Sequence, residues 1–333
     1  MDAKVKIGSI IMFCDESILG VNFGNGYTVV KMYLDNLPYK EKITDGRGQL
    51  AVPYIQSVNS DDQGKYFYCL EKEVDYQMRP PQELAPGVYT NNQLRCDDQV
   101  SEFTDAEYHY LFKIFSLLRL FKEGNIGTKQ IFSEHTFSLG LINNRVQRNI
   151  DNAERNIIDN RVFSLTPSEL TTCNQFLAEY SGAEYTIMKH IIDKFMQGLS
   201  KIDAATAFEQ FTTAMEMTLL DAGQQGKKEV LSKRTAALLE DTPSHRSAMY
   251  LRMKDYYRFR SESLHEGNTS NITDGERLEF EAIVRRVIRK CLVRCKAEIS
   301  LNPTVTWDEI KSKMINELMV IVAAENAAGT FTT

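Results

Sequence analysis

Two kinds of periodicity divide the chain. From the start to about residue 100, apolar and polar positions alternate in short runs, the period of strands. Lys4–Phe13 is rich in β-branched residues, and Tyr27–Leu34 alternates Tyr, Val and Met with smaller or polar residues. Asn25-Gly26 predicts a hairpin-type turn into the second run, and Asp45-Gly46-Arg47-Gly48 another turn. Leu50–Val58 contains Pro53, so as a strand it is an edge or a bulge. Lys65–Val74 reads as a further strand, and Arg79-Pro80-Pro81 and Ala85-Pro86-Gly87 break regular structure. The expectation for residues 1–100 is a small, mainly antiparallel β-module.

Residues 101–165 read as a helical connector. Thr104-Asp-Ala-Glu107 has the form of a capping box before an apolar helix over 106–122, closed by Gly124. Residues 125–165, rich in Asn and Arg, show no clear period. From Thr166 the pattern becomes helical. Thr166-Pro167-Ser168-Glu169 is a capping box with proline at the first helical position. The spacing predicts helices over 167–181, 183–200, 203–221, 227–240, 243–265 and 274–297. Thr306-Trp-Asp-Glu309 opens a last one to about Ala324. Short connections make 166–326 a helical bundle, with Gly329–Thr333 as a disordered tail. The fold class is therefore α+β.

Charge and composition narrow the function. The net charge of −6 gives no global field to attract nucleic acid, so any such contact needs a local patch. The six cysteines are dispersed, with no C-x-x-C, which predicts reduced thiols in a cytoplasmic protein. No run is long enough to span a membrane, and the N-terminus lacks the apolar core of a signal peptide. The glycosylation patterns at Asn268 and Asn271 carry no meaning without secretion. His109, His135, His190 and His245 are isolated and read as structural.

The candidate chemistry sits in Tyr257-Arg-Phe-Arg260-Ser-Glu-Ser-Leu-His265. A permanent cation and a group that titrates near neutrality suit work on a phosphate. Five helical residues turn the direction by about 140°, so Arg260 and His265 do not share a face of a regular helix. Either the helix loosens at Glu266-Gly267-Asn268, or the arginine meets the histidine of a second chain across a two-fold axis. Tyr257, Ser261 and His265 do share a face. Ser261 could orient the imidazole, Tyr257 could wall it or stack on a base, and Glu262 is a further supporting side chain. Spacing alone is better served by an ion-paired arginine and a histidine on the helix dipole; the family-like context reverses that order. Glu209 and Glu216 could brace the site, although surface positions suit them better. Between Gly275 and Lys296, seven cations stand against three anions. Arg286, Lys290 and Arg294 make a stripe that could track an RNA backbone or simply face solvent. Cys291 and Cys295 share a face and read as packing rather than metal ligands.

Three stretches in order carry a resemblance: Phe208–Asp221, then Leu231-Ser-Lys-Arg-Thr-Ala-Ala-Leu-Leu239, then Tyr257–His265. Over roughly residues 170–300 the chain resembles the Apea-like branch of the HEPN (higher eukaryotes and prokaryotes nucleotide-binding) domains. The resemblance implies an all-α bundle that forms a homodimer or higher homo-oligomer. It implies a metal-independent endoribonuclease with no cofactor, acting on RNA in antiviral or abortive-infection defence. Arg260 and His265 match the family's functional pair, and Ser261 its small polar residue after the arginine. One departure is visible: the branch usually places glycine directly after the histidine, whereas Glu266 precedes Gly267 here. In this reading the substrate's 2′-hydroxyl attacks, His265 moves the proton and Arg260 neutralises the phosphate. The β-module would sense or restrain, with a phage-derived trigger as its partner. The alternative is a non-catalytic HEPN protein that binds RNA or nucleotide, or scaffolds an assembly.

Overall fold

The β-branched run at the start forms β1 (Asp2–Ile11), the central strand of an antiparallel sheet. The computed structural model describes residues 2–77, 83–86, 88–89, 92–137, 143–149 and 161–331. The chain divides into two compact units, with the described residues of the first ending at Ala178. The fold is α+β, as the two periodicities require.

In the first unit the strand order is β2 (Thr28–Tyr33), β4 (Gly64–Gln77), β1, β7 (Gln130–Phe137), β8 (Asn143–Asn149). The short β3 (Asn59–Asp61) also pairs with β4. Asn25 and Gly26 do turn the chain, both at positive φ, yet β2 pairs with β4 and not with β1. A 3-10 turn at Glu16–Gly20 moves the chain across before β2 begins. Phe67, Cys69 and Ile10 point to one face of the sheet. There they pack with Ile43 of α1 (Lys40–Ile43) and Tyr54 of α2 (Val52–Ile55). The edge strand expected over 50–58 is thus α2, because Pro53 sits in a first helical turn, where its missing N–H costs nothing.

The opposite face carries α3 (Asn92–Phe121), whose Glu107 reaches Lys72 of β4. This helix starts well before the expected 106, so Thr104 and Glu107 are interior residues and not a capping box. Residues 101–165 are likewise not a helical connector: β7 extends the sheet beside β1, and β8 extends it beside β7. The Arg79–Pro81 break lies outside the described residues. Beyond it β5 (Glu83–Ala85) and β6 (Val88–Tyr89) pair across Pro86. Among the described residues no helix is long and apolar enough to cross a membrane.

The capping box at Thr166 is present at the start of α4 (Pro167–Tyr180). The Thr166 amide donates to Glu169 Oε2 at 2.9 Å, and the Glu169 amide donates back to Thr166 Oγ1 at 3.3 Å. Lys122 adds an ion pair at 2.8 Å. Lys122, then the Thr166 amide, hold the Glu169 carboxyl down at about 2, below its ordinary 4.5. A depressed carboxyl stabilises the fold above its unfolded pKa, and that contribution fades as pH falls toward 2. We expect Glu169→Gln to lower the melting temperature at pH 7. The gap to wild type should narrow between pH 4.5 and 2 in calorimetric scans; a gap independent of pH would contradict this.

The second unit is helical. It comprises α5 (Ala183–Leu199), α6 (Ala204–Leu219), α7 (Lys227–Leu239), α8 (Pro243–Glu266), α9 (Asp274–Leu301) and α10 (Trp307–Ala327). All start and stop close to the expected positions; Asp203, Thr242, Thr273 and Thr306 cap α6, α8, α9 and α10 with their own side chains, whereas α5 and α7 begin at Gly182 and Gly226 without one. The core is a cluster of rings. Phe208 lies 4.9 Å from Phe280 and 5.6 Å from Tyr256, and Phe211 lies 5.6 Å from Phe195. The tail is not wholly loose. Phe331 is buried 5.1 Å from the Tyr250 ring, and Thr330 donates to Glu325. Residues 332–333 lie outside the described residues.

Gly198 is where α5 lets Phe211 in. A Cβ there would stand 2.4 and 2.6 Å from two carbons of that ring. Overpacking costs about 1–3 kcal/mol, which outweighs a helix-propensity gain of at most about 1 kcal/mol. Gly198→Ala is expected to lower the urea midpoint, read by fluorescence of the single tryptophan, Trp307. A raised midpoint would show that Phe211 has room to yield.

Candidate functional site

The candidate residues lie on the last three turns of α8. Tyr250, Met253, Tyr256 and Phe259 are buried, so the inward face of this helix recurs every three residues. Arg260 falls at about 40° from Tyr256 on an ideal helix, within that inward sector. It is half-buried accordingly. Its guanidinium lies 5.8 Å from the centre of the Tyr257 ring, and its Nε is buried without a hydrogen-bond partner. Among the described residues no carboxylate pairs with it. The ion-paired arginine that spacing alone allowed is not what the structure has.

Tyr257 is fixed in turn. Its hydroxyl donates to Glu216 Oε1 of α6 at 3.1 Å. Burial, followed by the Glu216 carboxylate, raises the Tyr257 hydroxyl above its ordinary value, while Arg260 pulls it down. Glu216 also holds Lys227 at 3.5 Å. Glu216 is therefore a brace and half-buried, where a surface position was the simpler expectation. Its relation to Tyr257 spans 41 positions in the chain, so no local pattern announced it.

His265 is exposed in the last turn of α8. The helix does not loosen before it. It runs to Glu266, and Gly267 then closes it at φ 65°. The amides of Gly267 and Asn268 donate to the carbonyls of Ser263 and Glu262, both at 3.2 Å. Only a residue without Cβ takes that left-handed turn freely, which fixes the stop at Gly267. Glu266 is thus the last helical residue. Arg260 and His265 consequently point about 140° apart, and one chain does not bring them together. Ser261 lies between Tyr257 and His265 on the same ridge and is half-buried. Glu262 takes a hydrogen bond from Asn271 at 3.1 Å and faces Arg258 at 3.8 Å. It braces the end of α8 and does not reach Arg260.

The basic stripe on α9 is less open than its charge count suggests. Arg286 donates to Glu240 at 2.8 Å. Arg294 forms a fork with Glu317 and lies 3.4 Å from Glu298. Lys290 is exposed. Of the remaining cations, Arg277 and Arg285 are buried beside Glu281. Pairs to Glu240 and Glu317 outside α9, and to Glu281 within it, thus engage four of the seven cations that could have tracked an RNA backbone or faced solvent. Cys291 and Cys295 are buried packing residues, as their spacing implied. Burial pushes the Cys295 thiol up to about 12.

Sequence reasoning passed over one feature. Tyr257 also walls an open cleft of about 800 Å³, shared with Gly223–Glu229 and Lys254. Gly223 and Gly226 were legible as helix breaks, but their place opposite Lys254 is a matter of packing. Among the described residues no group of three or more His, Cys, Asp or Glu side chains is arranged to hold a metal ion. Comparison with family models, with curated proteins and with solved structures gives no match for this chain.

Proposed function

We propose that the second unit is a metal-independent endoribonuclease of HEPN type, an effector of antiviral or abortive-infection defence, with its active site completed by a second copy of the chain. The supporting observation is Arg260. A half-buried guanidinium resting on an aromatic ring, with no carboxylate partner among the described residues, is costly to keep unless a ligand uses it. A phosphodiester offers the planar, bidentate acceptor it lacks. His265, exposed on the same helix end, is free to serve as general acid or base toward a ribose 2′-hydroxyl. The divergence of the two side chains supports pairing across a two-fold axis, with Arg260 of one protomer beside the partner's histidine.

The second reading is a non-catalytic RNA- or nucleotide-binding protein. It is favoured by the same divergence, since a lone chain has no assembled pair. Incubating the full chain with labelled RNA in EDTA separates the two. Cleavage leaving 2′,3′-cyclic phosphate ends supports the nuclease, and binding without cleavage supports the alternative.

A further inference from the structure

The ring of Tyr257 stands between a carboxylate and the candidate guanidinium. Tyr257 and Arg260 are about one turn apart on α8. The guanidinium lies over the Tyr257 ring, 5.8 Å from its centre. At the other end of the ring, the hydroxyl donates to Glu216 Oε1 of α6 at 3.1 Å. Glu216 is itself held from α7, where Lys227 lies 3.5 Å from Oε2. A line of complementary contacts therefore runs from α7 through α6 to Arg260, and every link in it is longer than one helix could supply alone.

This line removes freedom from Arg260. An arginine side chain has many rotamers, and a guanidinium without a carboxylate partner samples them. A tyrosine has about two rotatable bonds, and tying its hydroxyl to a neighbouring helix fixes both. A ring fixed in this way gives the cation a rigid surface. The Glu216 carboxylate also polarises the phenol that donates to it, which enriches the ring face and strengthens its hold on a cation. Burial, then the Glu216 carboxylate, raises the Tyr257 hydroxyl above its ordinary value, so it remains a donor. With its hydroxyl engaged and the guanidinium on its face, the ring is directed at Arg260 and not at a base.

We propose that Tyr257 and Glu216 are positioning residues that hold Arg260 in the orientation in which it meets the phosphate. This role rests on the nuclease reading above. Neither side chain touches the reacting atoms: Tyr257 acts through Arg260, and Glu216 acts through Tyr257. Since Arg260 answers charge that develops in the transition state, misplacing it falls on kcat more than on KM.

Steady-state cleavage of labelled RNA by the full chain in EDTA tests it. Tyr257→Leu removes the ring and should lower kcat by about tenfold, with KM within about twofold of wild type. Tyr257→Phe and Glu216→Ala cut one hydrogen bond from its two ends. Each should lower kcat by about threefold, and the double variant by no more than either alone. In an Arg260→Ala background, Tyr257→Leu should cost nothing further, because no guanidinium is left to place. Circular dichroism checks that each variant is folded. A Tyr257→Leu loss that persists in the Arg260→Ala background, or that falls on KM, would assign the ring to base stacking or packing and overturn the proposal. Unchanged kcat in Tyr257→Leu would overturn it too. Wild type that leaves RNA intact removes the nuclease reading and this role with it, an outcome distinct from the others because no variant is needed to see it.

Discussion

Under the proposed reading, His265→Ala is expected to lower the initial rate of RNA cleavage in EDTA by about 10²–10⁴-fold, the usual worth of a general acid or base. The fold should be untouched, because His265 is exposed and sits in the last turn of its helix. Arg260→Ala should cost about 10²–10³-fold, the loss of one group that meets charge developing in the transition state. Arg260→Lys should recover little, since an ammonium cannot offer two parallel donors to one phosphate. Mixing the two alanine variants is the sharper measurement. With sites composed across a two-fold axis, each mixed dimer rebuilds one intact site from the good arginine of one chain and the good histidine of the other. An equal, re-equilibrated mixture should regain about a quarter of wild-type activity. No recovery, with both parents inactive, would place the pair within one chain, against the 140° divergence on a regular helix.

Glu107→Ala should destabilise the first unit by about 3–5 kcal/mol, because it leaves a buried ammonium without its counter-charge. Lys72 and Glu107 are 8% and 7% exposed and meet at 2.6 Å. The same carboxylate accepts from the Tyr27 hydroxyl at 2.8 Å and from the Asn25 amide at 3.1 Å, so its loss strands three groups at once. Lys72 keeps only weak company from the rings of Tyr27 and Phe103 at 5.2 and 6.0 Å. Glu107→Gln should cost less, as it still accepts. The double change Lys72→Met with Glu107→Leu should recover most of the loss, since a well-packed apolar pair often equals a buried ion pair. Urea unfolding followed by circular dichroism measures all three. A Glu107→Ala midpoint equal to wild type would mean that water reaches Lys72.

The helical half was legible because its signals are local. Each capping threonine or aspartate lies within three residues of the amide it serves, and Gly267 ends α8 within the turn it closes. The first half was less legible because its signals are distant. Residues 130–137 became a strand by pairing with β1, over a hundred positions away for Val5 and His135, and residues 143–149 by pairing with β7 in turn. Thr104 and Glu107 mimicked a helix start because a capping box is a four-residue pattern. Nothing within four residues told of Lys72.

The same division runs through the candidate site. The residues Tyr257, Arg260 and His265, and the angle between the last two, follow from the sequence, since helix geometry depends on spacing alone. The tertiary structure decided their circumstances. It put Arg260 on the inward side with no carboxylate partner among the described residues, set Glu216 behind Tyr257, spent Arg286 and Arg294 on carboxylates outside α9, and placed Lys254 across from the Gly223–Gly226 turn. Which charges stay open depends on which helices lie side by side, and that is settled by burial of the Phe208–Phe280 ring cluster and not by any neighbour in the chain.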